Sequence, residues 1–303
     1  MHNYLNKIKI FFFLISIACF ILFFNSCLKE ENKGAAPTLS FKIDSNYIYE
    51  DDTVLIGKTF KVGINATKGD VNITNLIIKV SHDSTFTYLD TGMNTASFSI
   101  TKTIIKGIAP KETWTFIVRD KAGNSQTAVL HIYSDTNSVY ENIYTIPSIL
   151  LGAQNNNSLG SFLDIKNNKV HPLSQAYMLQ DSIEILYYYD AIQTDANTIA
   201  SPNANLDPSV FPGNEGISNW TIKNETRYIK TNLTNADFEN CDNDSILIAN
   251  YNETLAKRKA KNLTTGDIYI FRTAKNKLGM FKVIQVSGQE SGFIEIKVKI
   301  QPS

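Results

Sequence analysis

The residues best suited to chemistry in this chain are aromatic. Tyr187, Tyr188 and Tyr189 stand in a row, and Phe211 and Trp220 lie beyond them. Together they bracket an irregular stretch, 193–219, rich in Asn, Asp and Ser and carrying Pro202, Pro208, Pro212, Gly213 and Gly216. Sugars lay their apolar C–H faces on aromatic rings, and Asn and Asp side chains read their hydroxyls. Trp220, Phe211 and Tyr188 are therefore the candidate ligand-binding residues. The competing reading is that these rings are core, as large aromatic side chains usually are. A loop of this length within a compact domain is either functional or disordered.

Other chemistry finds less support. His82, His131 and His171 have no second ligand at metal spacing. There is no Gly-x-Ser-x-Gly, glycine-rich phosphate loop or dinucleotide fingerprint. No catalytic residue, metal or cofactor is assigned. Asp242 and Asp244 sit in an Asn-rich turn that could coordinate Ca²⁺, but the remainder of an EF-hand loop is missing and a plain turn is the expectation. Cys241 has acidic neighbours, which raise a thiol pKa and argue for a structural cysteine. A glycosidase carboxylate pair meets in space and leaves no local spacing to read.

The amino terminus gives the address. Asn6, Lys7 and Lys9 precede an apolar run, 10–24, of 15 residues. That is short for a membrane span, which takes about 20 residues. It has the pattern of a secretory signal peptide. The following Asn25-Ser26-Cys27 resembles a bacterial lipoprotein lipobox, with Phe24 where most lipoboxes carry Leu. The resemblance implies that residues 1–26 are removed and that Cys27 is lipidated. Two or more acyl chains then hold the protein to a lipid bilayer. Lys29, Glu30 and Glu31 resemble the surface-export signal of Bacteroidetes lipoproteins. The implied location is the outer membrane, facing the cell exterior, with 27–36 as tether. The triplets Asp52-Thr53-Val54 and Asp83-Ser84-Thr85 match the O-glycosylation acceptor pattern of the same bacteria.

The whole chain carries 29 basic and 29 acidic residues, so without Lys7 and Lys9 the mature balance is 27 against 29. No basic face is implied, and nucleic acid is not an expected partner. Once Cys19 leaves and Cys27 is lipidated, Cys241 has no cysteine to pair with, and folding rests on core burial.

The elements that must position any site are mainly strands. From 37 to 134, short runs alternate: Leu39, Phe41 and Ile43; Phe60, Val62 and Ile64; Phe98 and Ile100; Trp114, Phe116 and Val118; Leu130 and Ile132. A more continuous apolar run covers 73–80. Period two buries one face of each strand. About seven such strands in about 100 residues predict an immunoglobulin-like β-sandwich. Asp120-Lys121-Ala122-Gly123-Asn124 resembles the Asp-x-Ala-Gly-Asn hairpin that ends many bacterial Ig-like repeats, modules that serve more often as stalks than as catalysts.

A polar break at Asp135-Thr136-Asn137-Ser138 sets off a second β-rich domain, 138–303. Residues 183–189 read as a central strand, apolar on both faces. One helix is predicted over 245–261, with Leu247, Tyr251 and Leu255 on its buried face, Ser245 as cap and Lys257, Arg258, Lys259 and Lys261 at its solvated end. The tail, with strands at 268–272, 280–286 and 293–300, predicts an antiparallel meander. In its last strand Glu295, Lys297 and Lys299 are expected to face water. Tyr187-Tyr188-Tyr189, the Trp220-Thr221-Ile222-Lys223-Asn224-Glu225-Thr226 run and Gly266-Asp267-Ile268-Tyr269 resemble a C-terminal module of uncharacterised Bacteroidetes surface lipoproteins, which implies location but no site.

The functional expectation is a non-enzymatic surface lipoprotein whose β-rich domain binds an extracellular ligand, a glycan in the first instance. The alternative is a structural or adhesive protein working through other envelope proteins. A hydrolase ranks third.

Overall fold

In a computed structural model, residues 34–137 and 139–302 are described. Cys27, Lys29, Glu30, Glu31 and the rest of 1–33 lie outside them. The chain is mainly β, 46% strand against 7% helix.

The first eight strands are β1 (Thr38–Phe41), β2 (Asp52–Val54), β3 (Thr59–Thr67), β4 (Ile73–Ser81), β5 (Thr85–Thr95), β6 (Ser97–Ile105), β7 (Lys111–Asp120) and β8 (Ser125–Ser134). They form two sheets, ordered β1-β3-β6 and β2-β8-β7-β4-β5. Their inner faces share one core of Phe60, Val62, Ile64, Leu76, Ile78, Ile104, Trp114, Phe116, Val118, Leu130 and Ile132. Each such side chain contributes about 1.5–3 kcal/mol by leaving water. This is the immunoglobulin-like sandwich, with one strand more than the alternation suggested: short β2 pairs parallel to β8. Ile43 lies past the end of β1 and is exposed.

Strand β7 shows how the pattern works. Glu112, Trp114, Phe116, Val118 and Asp120 all point inward, so a carboxylate terminates the apolar row at each end. Each finds donors. Asp120 accepts the backbone and side-chain N–H groups of Asn124 at 2.8 and 3.0 Å, which closes the β7–β8 hairpin over Gly123 at φ 84°. Glu112 is satisfied at the opposite end, described below.

Ten further strands follow: β9 (Tyr144–Gly152), β10 (Phe162–Asp164), β11 (Lys169–His171), β12 (Ile185–Asp190), β13 (Asp195–Ala200), β14 (Arg227–Lys230), β15 (Lys259–Ala260), β16 (Ile268–Arg272), β17 (Leu278–Ser287) and β18 (Phe293–Ile300). They make two five-stranded sheets, β11-β10-β12-β13-β15 and β14-β16-β17-β18-β9. These face each other across a core that includes Ile149, Leu163, Ile185, Tyr187, Tyr228, Phe271, Phe281 and Ile296. The expected meander is β16–β17–β18, and β12 is central and buried on both faces over most of its length.

Outside this pair lie two covering layers. Residues 201–220 and helix α1 (Leu173–Met178) pack on the outer face of the first sheet, burying Phe162, Leu186 and Tyr188. Helices α2 (Asn235–Glu239) and α3 (Ser245–Asn250) cover the outer face of the second, over Ile268, Ile270, Leu278 and Met280.

Two expectations fail here for physical reasons. The single helix over 245–261 is only the six residues of α3. Asn252 Oδ1 accepts the backbone N–H and hydroxyl of Thr254, an Asx turn that competes with helical bonding. Tyr251 is already extended, and Leu255 is exposed rather than on a buried face. The cap is Asp244, not Ser245. The lysine run continues as extended backbone: Lys257 bridges Tyr228 of β14 with N–H···O bonds of 2.7 and 2.9 Å, and Lys259–Ala260 pair with β13. Lys299 does not face water either. It is buried, and its ammonium donates to the carbonyls of Glu239 and Cys241 at 2.9 and 2.7 Å. There it satisfies acceptors that the end of α2 leaves open.

The sandwich meets the later sheets through an apolar seam. Ile56 and Ile105 pack with Leu247, Ile248 and Leu278. Gly57 has φ 78°, and a Cβ placed on it would lie 2.5 Å from Ile248 Cδ1, so the approach requires glycine. The connecting strand of chain is pinned as well: Glu141 and Asp244 exchange backbone and carboxylate bonds of 2.9 Å.

Candidate functional site

The three aromatic candidates are core residues. Trp220 and Phe211 are 4% and 5% exposed, and Tyr188 is 1% exposed. Phe162 sits between the first two, with ring centroids 4.8 Å from Phe211 and 5.5 Å from Trp220. The Trp220 indole N–H donates to the Glu215 carbonyl at 2.8 Å. The Tyr188 hydroxyl donates to Asp195 at 2.6 Å, beside the Lys259 and Lys261 ammonium groups. Burial would raise the Asp195 pKa, but those three donors outweigh it and hold the carboxyl low. The stretch read as irregular is ordered: its first part is β13 of the first sheet, paired to β12, and residues 201–220 are a lid on that sheet held by their own aromatic rings. No ring face is left for a sugar there.

Several polar candidates are also spent on structure. Asp244 accepts from the Glu141 N–H and from Gln301 Nε2 at 2.9 and 2.7 Å, which accounts for both carboxylate oxygens in the proposed calcium turn. Among the described residues, no cluster of three or more His, Cys, Asp or Glu could hold a metal ion. Cys241 is buried and its thiol pKa is raised by that burial. His131 and His171 engage Thr113 and Gln175 in separate places.

The structure instead brings together residues far apart in sequence. A cleft of about 500 Å³ lies beside the seam, between the sandwich and α3. One wall is β5 and β7, with β4 between them, and the loop after β6: Phe86, Tyr88, Trp114 and Ile108. The other is the chain that follows α3 and the strand ends flanking the β16–β17 turn: Tyr251, Glu253, Arg272 and Leu278.

Both walls are rigidly held. On the sandwich side, Lys106 is fully buried and its ammonium donates to the carbonyls of Gly107 and Ala109 and to Glu112 Oε1, at 2.8, 2.6 and 3.1 Å. Glu112 also accepts the Gly107 N–H at 2.8 Å and the Trp114 indole N–H at 3.0 Å. The pair fixes the loop carrying Ile108 and the orientation of Trp114 in one stroke. Burial pulls the Lys106 pKa down and Glu112 resists it. Tyr88 packs edge-on against Trp114 at 5.0 Å.

On the facing wall, Arg272 donates to Glu253 at 2.8 Å, to the Tyr251 hydroxyl at 3.2 Å and to Asn276 at 2.9 Å. Tyr251 in turn donates to Glu253 at 2.5 Å. Burial, then Glu253, pushes the Tyr251 hydroxyl pKa up, and the same two causes raise that of Tyr88 from across the cleft. Both phenols are protonated at neutral pH, and the Tyr251 O–H is already given to Glu253. The cleft therefore offers aromatic and aliphatic surface with a charge-balanced polar cluster on one side, the composition of a small-ligand site.

Sequence reasoning missed Tyr88, Tyr251, Glu253 and Arg272. The only trace was the alternation of Phe86 and Tyr88, which places both on one face of β5; nothing in the spacing joins them to residues 251–272.

No protein-family model matches the chain, and no curated protein matches it. Among solved structures it is similar to an engineered protein, at 13% identity and a TM-score of 0.24, over 34% of this chain. The match spans 21% of that chain, far below its full length. At that TM-score the likeness carries no argument.

Proposed function

We propose that this chain is an outer-membrane surface lipoprotein, anchored through Cys27, that binds an extracellular glycan without chemistry in the cleft between the sandwich and α3. The observation that supports the reading is the pairing of the Phe86, Tyr88 and Trp114 wall with the Tyr251–Glu253–Arg272 cluster. Sugars need apolar ring contact on one face and directional donors and acceptors on the other, and the two walls supply one each. Glu112 and Glu253 are both committed to fixed partners, Glu112 to Lys106 and Trp114, Glu253 to Arg272 and Tyr251. That favours binding over acid–base turnover. The geometry also suits presentation. Gly34 lies against Asp70, at the end of the sandwich that holds the β7–β8 hairpin, and the cleft is at the other end.

The test is a glycan array probed with the full chain in detergent. A specific hit weakened at least tenfold by Tyr88→Ala, with the variant's melting temperature recorded alongside, is the expected result. A blank array from folded protein, or hits indifferent to Tyr88, removes the reading.

A further inference from the structure

The ionised groups in the walls of the cleft already have their partners. Lys106 directs its ammonium to two carbonyls and Glu112. Glu112 accepts from Lys106 and the Gly107 N–H on Oε1 and from the Trp114 indole on Oε2. Glu253 accepts from Arg272 on Oε1 and from Tyr251 on Oε2. Arg272 donates through Nε, Nη1 and Nη2 to Tyr251, Asn276 and Glu253. Arg227, opposite Arg272 in the β14–β16 register, is paired with Glu225. Asp83 is fully exposed at the rim, beside His82. The polar groups with bonding capacity left are uncharged. The Tyr88 hydroxyl makes no hydrogen bond among the described residues. The Asn250 side chain bonds only through its N–H, to Ile246, and that of Asn252 only through Oδ1, to Thr254. All three residues line the cleft.

We infer that the cleft selects uncharged glycans over acidic ones, with Glu253 as the residue that sets the preference by masking Arg272; the inference rests on the glycan reading above. A carboxylate or sulfate placed in the cleft finds no free cation. To gain one it must take Arg272 from Glu253, whose side chain is mostly buried. That leaves the Glu253 carboxylate without its counter-ion out of water, which is strongly unfavourable. Asp83 at the rim adds repulsion. A sugar hydroxyl both donates and accepts, so it can bond Tyr88, Asn250 and Asn252 without displacing any charge. The network that holds the Tyr251 wall in place therefore also decides what the wall will accept.

The probe is a glycan array on which each neutral structure is matched by its uronate-bearing and sulfated counterparts, read with the full chain in detergent at low and high salt. Hits that depend on Tyr88 should be uncharged, at least tenfold stronger than their acidic matches, and indifferent to salt, which screens ionic contacts. Glu253→Gln keeps the shape of the side chain and removes its charge. With its fold checked by melting temperature, it should narrow the neutral-to-acidic ratio at least tenfold. Three results overturn the inference while leaving the cleft a glycan site: Tyr88-dependent binding of an acidic glycan as tight as its neutral match, wild-type affinity that falls at least tenfold with salt, or an unchanged ratio in folded Glu253→Gln. The first two need only the wild-type and Tyr88→Ala proteins. A blank array, or hits indifferent to Tyr88, overturns the glycan reading and this inference with it.

Discussion

Glu184 makes this protein's stability depend on pH in an unusual direction. Its side chain is buried, and Oε1 has no hydrogen-bond partner among the described residues. Burial raises its pKa from 4.5 to about 7; Lys275 opposes the rise and Asp164 adds to it. The fully buried Tyr228 hydroxyl is close enough that Glu184 in turn raises its pKa. Because the folded-state pKa exceeds the unfolded one, protonated Glu184 is the form the fold accepts. Its full contribution is present below pH 4.5 and is lost as the pH rises through about 7. The displacement is about 2.5 pH units, and at about 1.4 kcal/mol for each the loss by pH 8 is about 3 kcal/mol. Glu184→Gln keeps the shape of the protonated acid and removes its titration. Urea denaturation of both proteins at pH 5, 6, 7 and 8 tests this. The difference in unfolding free energy should widen by about 2.5 kcal/mol across that range in favour of the variant, the remainder having been lost already by pH 5. Parallel profiles from pH 5 to 8 would refute the reasoning.

Three further outcomes are expected. Gly57→Ala introduces a side chain at positive φ and against Ile248, so it should cost at least about 1–2 kcal/mol and speed proteolysis at the connecting residues 135–143. Trp220→Ala empties a core position and should cost about 3–5 kcal/mol by chemical denaturation, leaving cleft binding intact in whatever fraction stays folded. Lys106→Met leaves Glu112 buried without its cation. A loss of about 3–5 kcal/mol is expected, and the altered setting of Trp114 should appear in its fluorescence.

Much of the fold is legible wherever burial is one-sided. The alternation of Trp114, Phe116 and Val118 locates β7, and Ile294, Ile296 and Val298 locate β18, because a strand with one wet face must write its period into the sequence. The Asp120–Asn124 turn is equally readable, since its bonds are local. Failures occur where a distant partner or a competing local bond decides. Lys299 looks solvated until α2 brings two carbonyls to it. The pattern from Leu247 to Leu255 is helical, yet one Asx turn at Asn252 ends the helix early. Phe211 and Trp220 sit in polar surroundings in sequence and pack in space on Phe162, some 50 residues away. The cleft is the extreme case, because Tyr88 and Arg272 are strand residues with ordinary neighbours until the seam at Gly57 juxtaposes them.

The inward row of β7 has a mechanical consequence. Its two terminal carboxylates, Asp120 and Glu112, hold opposite ends of the sandwich, one at the hairpin and one at the rim of the cleft. Ten strand residues separate the ends by about 30 Å. The sandwich is thus a strut of that length: the end where Gly34 lies against Asp70 and the end that lines the cleft are held apart by paired backbone, so a pull on one is felt at the other without any strand between them having to unfold.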